Sequence, residues 1–310
     1  MRGTKKNKPL VSVVMPVYNG ELFMAAAIES ILSQTFKNFE FLVVDDGSND
    51  LTSEILKKYK KNYPLIIKIF RLKKNIGAFA AINSVLNKTR GEFIALMDSD
   101  DISYPQRLEK QITFFKKNPN VIVLGCQAEI ITENGLTIGN KKAPIKDGEI
   151  RKEFAFVHPM VHPSCILRKS LLPEKNHIYE NKYGVNDDYF SFFKLLSFGQ
   201  FANLEETLFS YRIHANNSSL KNLKKTLLNT IKIRFDARRT FNYRLPPLAF
   251  LVIPFQFLTF LIIPERLILK TYLMLRGIYS PKEQLARILI QIKYNFIKPV
   301  RFYFSFVFSK

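Results

Sequence analysis

Five short apolar runs alternate with helical patterns up to residue 125, and this alternation limits the possible folds more than any other feature. The runs are almost continuously apolar and rich in β-branched and aromatic residues, which is typical of strands covered on both faces. They occupy residues 10–17, 39–44, 65–70, 93–97 and 121–125, and the helical patterns occupy residues 21–34, 53–61, 76–88 and 106–117. Such alternation predicts an α/β fold, with a mostly parallel sheet flanked by helices and right-handed crossovers.

Acidic residues directly follow two of the predicted strands. Asp45 and Asp46 follow the second run, and Asp98, Asp100 and Asp101 follow the fourth. Because an unpaired buried carboxylate is costly, these side chains must face water, a metal or a cationic partner. Ligands bind at the carboxyl ends of strands in such sheets, and two aspartates flanking one residue suit a divalent cation that carries a diphosphate. Asp45 fits a turn or helix cap as well as a ligand contact.

The positive charge is concentrated towards the carboxyl end. The formal net charge is +21, and residues 221–310 contain 17 Lys and Arg but only 3 Asp and Glu. An excess of this size calls for an anionic partner, such as nucleic acid or an anionic membrane surface.

The cysteines and the amino terminus bear on the compartment. Cys126 and Cys165 are the only cysteines, so the chain has neither a disulfide framework nor a CxxC metal site, and Cys165 is expected to pack in the core. The basic start is followed by a strand-like run instead of a signal-peptide core. We therefore expect a reducing compartment, with the chain starting in the cytoplasm.

The region after residue 219 differs in character. Residues 245–263 carry no charge and would span about 28 Å as a helix, close to the roughly 30 Å of a bilayer core. Pro246, Pro247 and Pro254 argue against a straight span, and residues 285–296 resemble an interfacial amphipathic helix. We expect residues 221–310 to form a basic helical membrane-associating region. A hairpin packed on the preceding domain is the alternative.

Five further motifs accompany the acidic ones. They are Pro16-Val17-Tyr18-Asn19, Asn75-Ile76-Gly77, His162-Pro163-Ser164, Asp187-Asp188-Tyr189 and Tyr211-Arg212-Ile213-His214. In order and spacing the whole set resembles the family 2 glycosyltransferases of the GT-A fold, of the bacterial cell-surface polysaccharide type, over residues 9–219. The resemblance implies a Rossmann-like GT-A catalytic domain over residues 1–220, followed by a basic, apolar helical extension. Its nucleotide-sugar half would cover about 9–125 and its acceptor half about 126–220.

The resemblance also implies roles for particular residues. Asp46 would hold the nucleotide base, Asp98 would lie near the ribose, and Asp101 would be structural. Asp100, in a DXD motif, would carry Mn²⁺ or Mg²⁺ on the diphosphate, with His214 as a second candidate ligand that slightly favours Mn²⁺. The full set of implied nucleotide-sugar-binding residues is Pro16, Tyr18, Asn19, Asp46, Asn75, Gly77, Asp98 and Ser99.

Sugar transfer needs a general base for the acceptor hydroxyl, and a carboxylate can take that proton. Asp188 matches the acidic motif that supplies the base in inverting members, which implies single displacement with inversion. The chain departs from the common pattern, because Asn186 precedes the acidic pair and Phe190 occupies a position that is often acidic. A shift of one residue would make Asp187 the base, although we favour Asp188.

Three other polar residues lie near these motifs. His158 and His162 each precede a proline in a segment that could line the acceptor pocket, and each fits a structural role equally well. Arg107 is expected to pair with a helix carboxylate and not with substrate.

These features together predict an inverting, metal-dependent enzyme at the cytoplasmic face of the inner membrane, peripheral or shallowly inserted. It would move a sugar from a nucleotide diphosphate-sugar, in particular a UDP-sugar, to a lipid-linked or growing surface glycan such as capsule or O-antigen. A sugar nucleotidyltransferase would need a basic, Gly-rich triphosphate grip, and none occurs between residues 10 and 48. A nucleic-acid-binding protein fits the charge but not the carboxylates at strand ends, so we expect no nucleic-acid partner.

Overall fold

The computed structural model describes residues 8–214, 217, 223–264 and 267. Its strands are β1 (Val11–Val17), β2 (Phe39–Asp45), β3 (Ile67–Arg71), β4 (Phe93–Leu96), β5 (Ile102–Ser103), β6 (Val121–Ile131), β7 (Thr137–Lys141), β8 (Ile166–Arg168) and β9 (Gln200–Arg212). Its α-helices are α1 (Met24–Leu32), α2 (Thr52–Asn62), α3 (Ala78–Val85), α4 (Arg107–Lys117), α5 (Asp147–Glu153), α6 (Asp187–Leu195), α7 (Leu223–Thr240) and α8 (Ala249–Ile262).

The strands form one nine-stranded sheet in the order β3-β2-β1-β4-β8-β6-β9-β5, with β7 paired to β6 outside this path. Strands β3, β2, β1 and β4 run parallel to one another, as the alternation predicts. Strand β8 runs antiparallel between β4 and β6, and β9 runs parallel to β6. The α/β fold with a mostly parallel sheet and flanking helices is confirmed.

The core lies on both faces of the sheet. In β1, Val13 and Met15 point into one apolar cluster and Val14 points into the other, and all three are fully buried. Side chains alternate between the faces of a strand, so a strand covered on both faces is apolar at every position. The near-continuous apolar runs in the sequence have this cause.

The register of the parallel strands brings the acidic segments to one edge. Val17 pairs with Asp45, the amide of Asp46 donates to the carbonyl of Val17, and the amide of Met97 donates to the carbonyl of Val14. The carboxyl ends of β1, β2 and β4 therefore meet, which carries Asp46 and the segment after Met97 to the same side of the sheet.

Arg107 corrects one expectation. Its guanidinium is fully buried and donates to the carbonyl oxygens of Leu96 and Pro163, at 3.2 and 3.1 Å, so the prediction of a helix carboxylate partner was wrong. Burial lowers the pKa of Arg107 to about 10. The side chain ties the end of β4 to the loop before β8. Cys165 is buried, as expected.

The carboxyl-terminal helices pack against the rest of the fold. Ile233 and Ala237 of α7 join the apolar cluster that contains α6, and α8 reaches α7 through Ala249 and Ile253. Across the described residues, no helix combines the length and apolar character needed to cross a membrane. The predicted amphipathic stretch at residues 285–296 lies outside the described residues, and the boundary at residue 220 stays a prediction.

Candidate active site

A cleft of about 1440 Å³ opens at the carboxyl ends of β1, β2 and β4. Every residue predicted to bind the nucleotide-sugar or the metal, or to act as the base, lies on its wall. These residues are Pro16, Tyr18, Asn19, Asp46, Asn75, Gly77, Asp98, Ser99, Asp100, Asp187, Asp188 and His214. The structure thus brings together segments from both halves of the chain, while the role of each residue stays a prediction.

Asp46 anchors the loop between β3 and α3. It is buried, and its two carboxylate oxygens accept the backbone amides of Ile76 and Gly77, each at 2.9 Å. Burial, with the charge of Asp45, outweighs these hydrogen bonds and raises the pKa of Asp46. Gly77 has a φ of +91°, a conformation that glycine adopts far more easily than other residues, and in this conformation its amide donates to Asp46.

Asp45 has a structural role. Its Oδ1 accepts the amide of Ser48 at 2.9 Å, its Oδ2 accepts the hydroxyl of Ser53 at 3.1 Å, and Arg71 Nε lies 3.5 Å away. The side chain therefore stabilises the turn after β2. Of the two roles considered for Asp45, the turn role agrees with these contacts better than a ligand contact does.

Three carboxylates crowd the end of β4. Oxygens of Asp98, Asp100 and Asp101 lie within 4.8 Å of one another. Asp100 Oδ2 also lies 2.8 Å from His214 Nε2. The buried Asp101 Oδ2 accepts no hydrogen bond from the described residues. Carboxylate oxygens with one imidazole suit Mn²⁺ or Mg²⁺, so the residues present fit such an ion.

Asp101 joins this edge to β9. Its Oδ1 accepts the amide of Arg212 at 2.8 Å, and Arg212 Nε donates to the carbonyl of Asp100 at 2.7 Å. Burial and the charges of Asp100 and Asp98 raise the pKa of Asp101. These contacts agree with a structural part for Asp101, through β9.

The two aspartates that begin α6 have different environments. Asp187 Oδ1 accepts the amides of Lys182 and Tyr183, both at 2.7 Å, which commits it to the helix start. Asp188 Oδ1 accepts the adjacent amide of Tyr189 at 2.7 Å, while its Oδ2 lies 3.5 Å from His158 Nε2. Asp188 is thus the freer of the two carboxylates to meet a substrate.

Burial raises the pKa of Asp188 and Asp98 most clearly among the cleft carboxyls. Burial raises the pKa of Asp188 to about 7, against the Tyr189 amide and the charge of Lys141. Burial, with the charges of Asp100 and Asp188, raises the pKa of Asp98 to about 8. A carboxyl with a pKa near 7 is suited to proton transfer at neutral pH.

His162 is a buried part of the cleft floor. Its Nε2 lies 2.7 Å from the hydroxyl of Tyr179, and Phe79 packs edge-on at 5.4 Å between ring centroids. Burial lowers the pKa of His162 to about 3, so the imidazole is neutral at ordinary pH.

Sequence reasoning missed some of the residues at the cleft. Asn217 donates to Asp100 Oδ2 at 3.2 Å and accepts the amide of His214 at 2.6 Å, although no motif in the sequence pointed to it. Arg234 of α7 is buried at the cleft wall and donates to Gln256 of α8 at 2.6 Å. The sequence signal available was Gln256, a polar residue in the uncharged run of residues 245–263.

The family model for glycosyl transferase family 2 matches residues 12–174, more than half of the chain. A relative from Methanocaldococcus jannaschii, named an uncharacterized glycosyltransferase, is 36% identical over 76% of this chain and 82% of its own. A similarly named protein from Haemophilus influenzae is 34% identical over 69% of this chain and 68% of its own. The chain belongs to glycosyl transferase family 2, and it is a glycosyltransferase.

Solved structures share the GT-A fold. The mannosyltransferase PcManGT from Pyrobaculum calidifontis, in complex with GDP-Man and Mn²⁺, matches with a TM-score of 0.62 at 18% identity, over 90% of this chain and 84% of its own. S. aureus TarS, in complex with UDP, matches with a TM-score of 0.58 at 21% identity, over 74% of this chain and 65% of its own. Membership of a glycosyltransferase family sets aside the nucleotidyltransferase alternative, and the absence of a nucleic-acid partner stays a prediction.

Proposed function

We propose that the protein transfers a sugar, with inversion, from a nucleoside diphosphate sugar to a hydroxyl of a lipid-linked or growing surface glycan. One observation carries this proposal: Asp46, Asp100 and Asp188 line a single cleft at the strand ends. A base contact, a diphosphate contact and a proton acceptor are the three groups that such a reaction needs.

The donor half of the cleft suits a nucleotide. Asp46 holds the amides of Ile76 and Gly77 in place, and each of its oxygens keeps a lone pair for a base N–H. Tyr18 leaves 46% of its surface open beside Pro16, which offers a flat apolar face to a base. TarS binds UDP and UDP-GlcNAc and PcManGT binds GDP-Man, and we propose a donor of this class, with a UDP-sugar as the first candidate.

Asp100 and His214 are the proposed ligands of a divalent cation, Mn²⁺ or Mg²⁺. When bound, such an ion neutralises a diphosphate and stabilises the charge that grows on it. The chain supports the two ligands through Asn217, which contacts both residues, and through Arg212, whose Nε donates to the carbonyl of Asp100. PcManGT in complex with Mn²⁺ supports this assignment.

Asp188 is the proposed general base. As the acceptor oxygen bonds to C1 of the sugar, the bond from C1 to the diphosphate oxygen breaks and the hydroxyl proton passes to Asp188. A single in-line displacement of this kind inverts the configuration at C1. Asp187 is the weaker candidate, because two backbone amides occupy its Oδ1.

The acceptor is proposed to arrive from a membrane. Leu251, Phe255 and Ile262 of α8 are each more than 70% exposed. Exposed apolar area of this extent marks an interaction surface. Basic residues beside it favour a partner with an anionic surface, such as a membrane. Arg238 lies over the ring of Phe250, and Lys224 donates to the carbonyl of Leu261 at the other end of α8.

We therefore propose residues 1–220 as the catalytic domain and residues 221–310 as its membrane-associating region, at the cytoplasmic face of the inner membrane. Residues 9–125 and 126–220 would form the nucleotide-sugar and acceptor halves.

The decisive experiment is a donor screen with purified, detergent-solubilised protein, in which nucleoside diphosphate release is measured with and without Mn²⁺ and with a lipid-extract acceptor. We expect release from one donor that depends on both additions. Asp188→Asn should abolish transfer but retain nucleotide binding, whereas Glu205→Gln, an exposed carboxylate on β9, should match the wild type. Release from no donor, or an active Asp188→Asn variant, would overturn the proposal.

A further inference from the structure

We propose that His158 is a positioning residue that donates a hydrogen bond to Asp188 and holds this carboxylate in place to take the acceptor proton. The inference rests on the proposed function, since it assigns the partner of the proposed base. His158 lies in the loop after α5, and its Nε2 is 3.5 Å from Asp188 Oδ2. Catalytic hydrogen bonds are often long in ligand-free sites and shorten when substrate binds.

The backbone decides which nitrogen of His158 carries the proton. The amide of Met160 donates to His158 Nδ1 at 3.2 Å, so Nδ1 acts as an acceptor. In a neutral imidazole one nitrogen accepts and the other donates, which leaves the proton on Nε2, the atom that faces Asp188.

Aromatic packing prevents the ring from turning away. The His158 ring lies 5.4 Å from Tyr189, 5.6 Å from Phe192 and 5.9 Å from Phe154, between ring centroids, and 14% of its side chain is exposed. Tyr189 and Phe192 belong to α6, the helix that begins with Asp187 and Asp188. The orientation of His158 is therefore coupled to the helix that carries the base.

Both oxygens of Asp188 then have a defined neighbour. Oδ1 accepts the amide of Tyr189 and Oδ2 faces His158, and each oxygen keeps a second lone pair towards the cleft. Hydrogen bonds to a carboxylate favour its ionised form, which a base requires. The other titratable groups that face Asp188 are Asp187 on its own helix, Lys141 at the end of β7, Asp98 after β4, and Tyr179, Tyr189 and Cys165.

The test compares His158→Phe, which keeps an aromatic ring but removes the donor, with His158→Gln, which keeps an N–H. His177→Phe is the matched control, because His177 does not line the cleft. For His158→Phe we expect kcat to fall by about 10-fold or more at unchanged KM for the donor, because a hydrogen bond to a charged group is lost. The apparent pKa of the acidic limb of its kcat/KM profile, which reports Asp188, should rise by about one unit.

His158→Gln should restore part of kcat and should reverse part of the rise in the apparent pKa. His177→Phe should behave as the wild type. The proposal fails if His158→Phe keeps the wild-type pH profile, or if His158→Gln is no better than His158→Phe. Should the phenylalanine variant not fold, as judged by thermal melting and nucleotide binding, His158→Leu provides the same comparison. An active Asp188→Asn variant would instead refute the proposed base, so the two failures are distinguishable.

Discussion

His214 Nε2 lies 2.8 Å from Asp100 Oδ2, although 114 positions separate the two residues in the chain. The His214 ring packs 4.9 Å from the Phe23 ring, and Asn217 reaches the same carboxylate oxygen at 3.2 Å. Strand β9 ends at Arg212, whose amide is held by Asp101, and this contact carries His214 to the end of β4. The proposed metal ligands are thus joined by the pairing of β9 with the acidic segment.

Asp100→Asn should lower kcat/KM by about 100-fold or more. Mutation of a residue that only supports a metal ligand already lowers metal affinity or activity by about 10–100-fold, and loss of a ligand should cost at least as much. His214→Ala should lose less activity and should reduce the preference for Mn²⁺ over Mg²⁺. The measurement is nucleoside diphosphate release against metal concentration, after treatment with a chelator, with Glu205→Gln as the control. Unchanged metal dependence in Asp100→Asn would remove it from the ligand set.

The pH profile should report Asp188. A base must be ionised, and burial raises the pKa of Asp188 to about 7, so kcat/KM should fall as the pH drops below about 7 and level off above it. Asp188→Asn should lose about 10²–10⁴-fold in kcat. Asp187→Asn should keep most of the activity and stability, because both backbone amides donate to Oδ1 and the side-chain carbonyl of asparagine can still accept them. If Asp187→Asn abolished turnover in a stable protein, Asp187 would be the base.

Asp46→Asn should weaken nucleotide binding and destabilise the fold by about 1.5–3 kcal/mol, since Ile76 and Gly77 donate to different oxygens and the variant places an NH₂ group against one of these two amides. UDP titration calorimetry and urea unfolding measure the two effects. Glu54→Gln, at an exposed position of α2, serves as the control. Wild-type affinity for UDP, in a variant with the expected loss of stability, would limit Asp46 to a structural role.

Binding to anionic vesicles should depend on α8. Replacing Leu251, Phe255 and Ile262 by serine should abolish co-sedimentation with phosphatidylglycerol vesicles, because each large apolar side chain contributes about 1.5–3 kcal/mol when buried. Leu136→Ser, at an exposed apolar position between β6 and β7, is the matched control. If the triple variant instead converted a dimer to a monomer without changing vesicle binding, α8 would be an interface between copies of the chain.

The sequence predicted the sheet and its functional edge well. Parallel strands covered on both faces appear in the sequence as apolar runs, and Asp46 and Asp98 each follow such a run. Because the carboxyl ends of parallel strands lie at the same edge of the sheet, these two aspartates were expected to lie close together. Element ends were less accurate. Strand β6 was expected at residues 121–125 but extends to Ile131, because pairing with β9 and β7 continues it past its most apolar part.

Sequence by itself determined the fold class, the family and the cleft residues that belong to the family motifs, because local periodicity and motif order encode them. Only the tertiary structure decided that Asn217 meets Asp100, that His158 faces Asp188, that carbonyl groups hold Arg107, and that α7 and α8 wall the cleft. These contacts join residues from different elements of the fold. They depend on how those elements pack together, and no local sequence pattern encodes that arrangement.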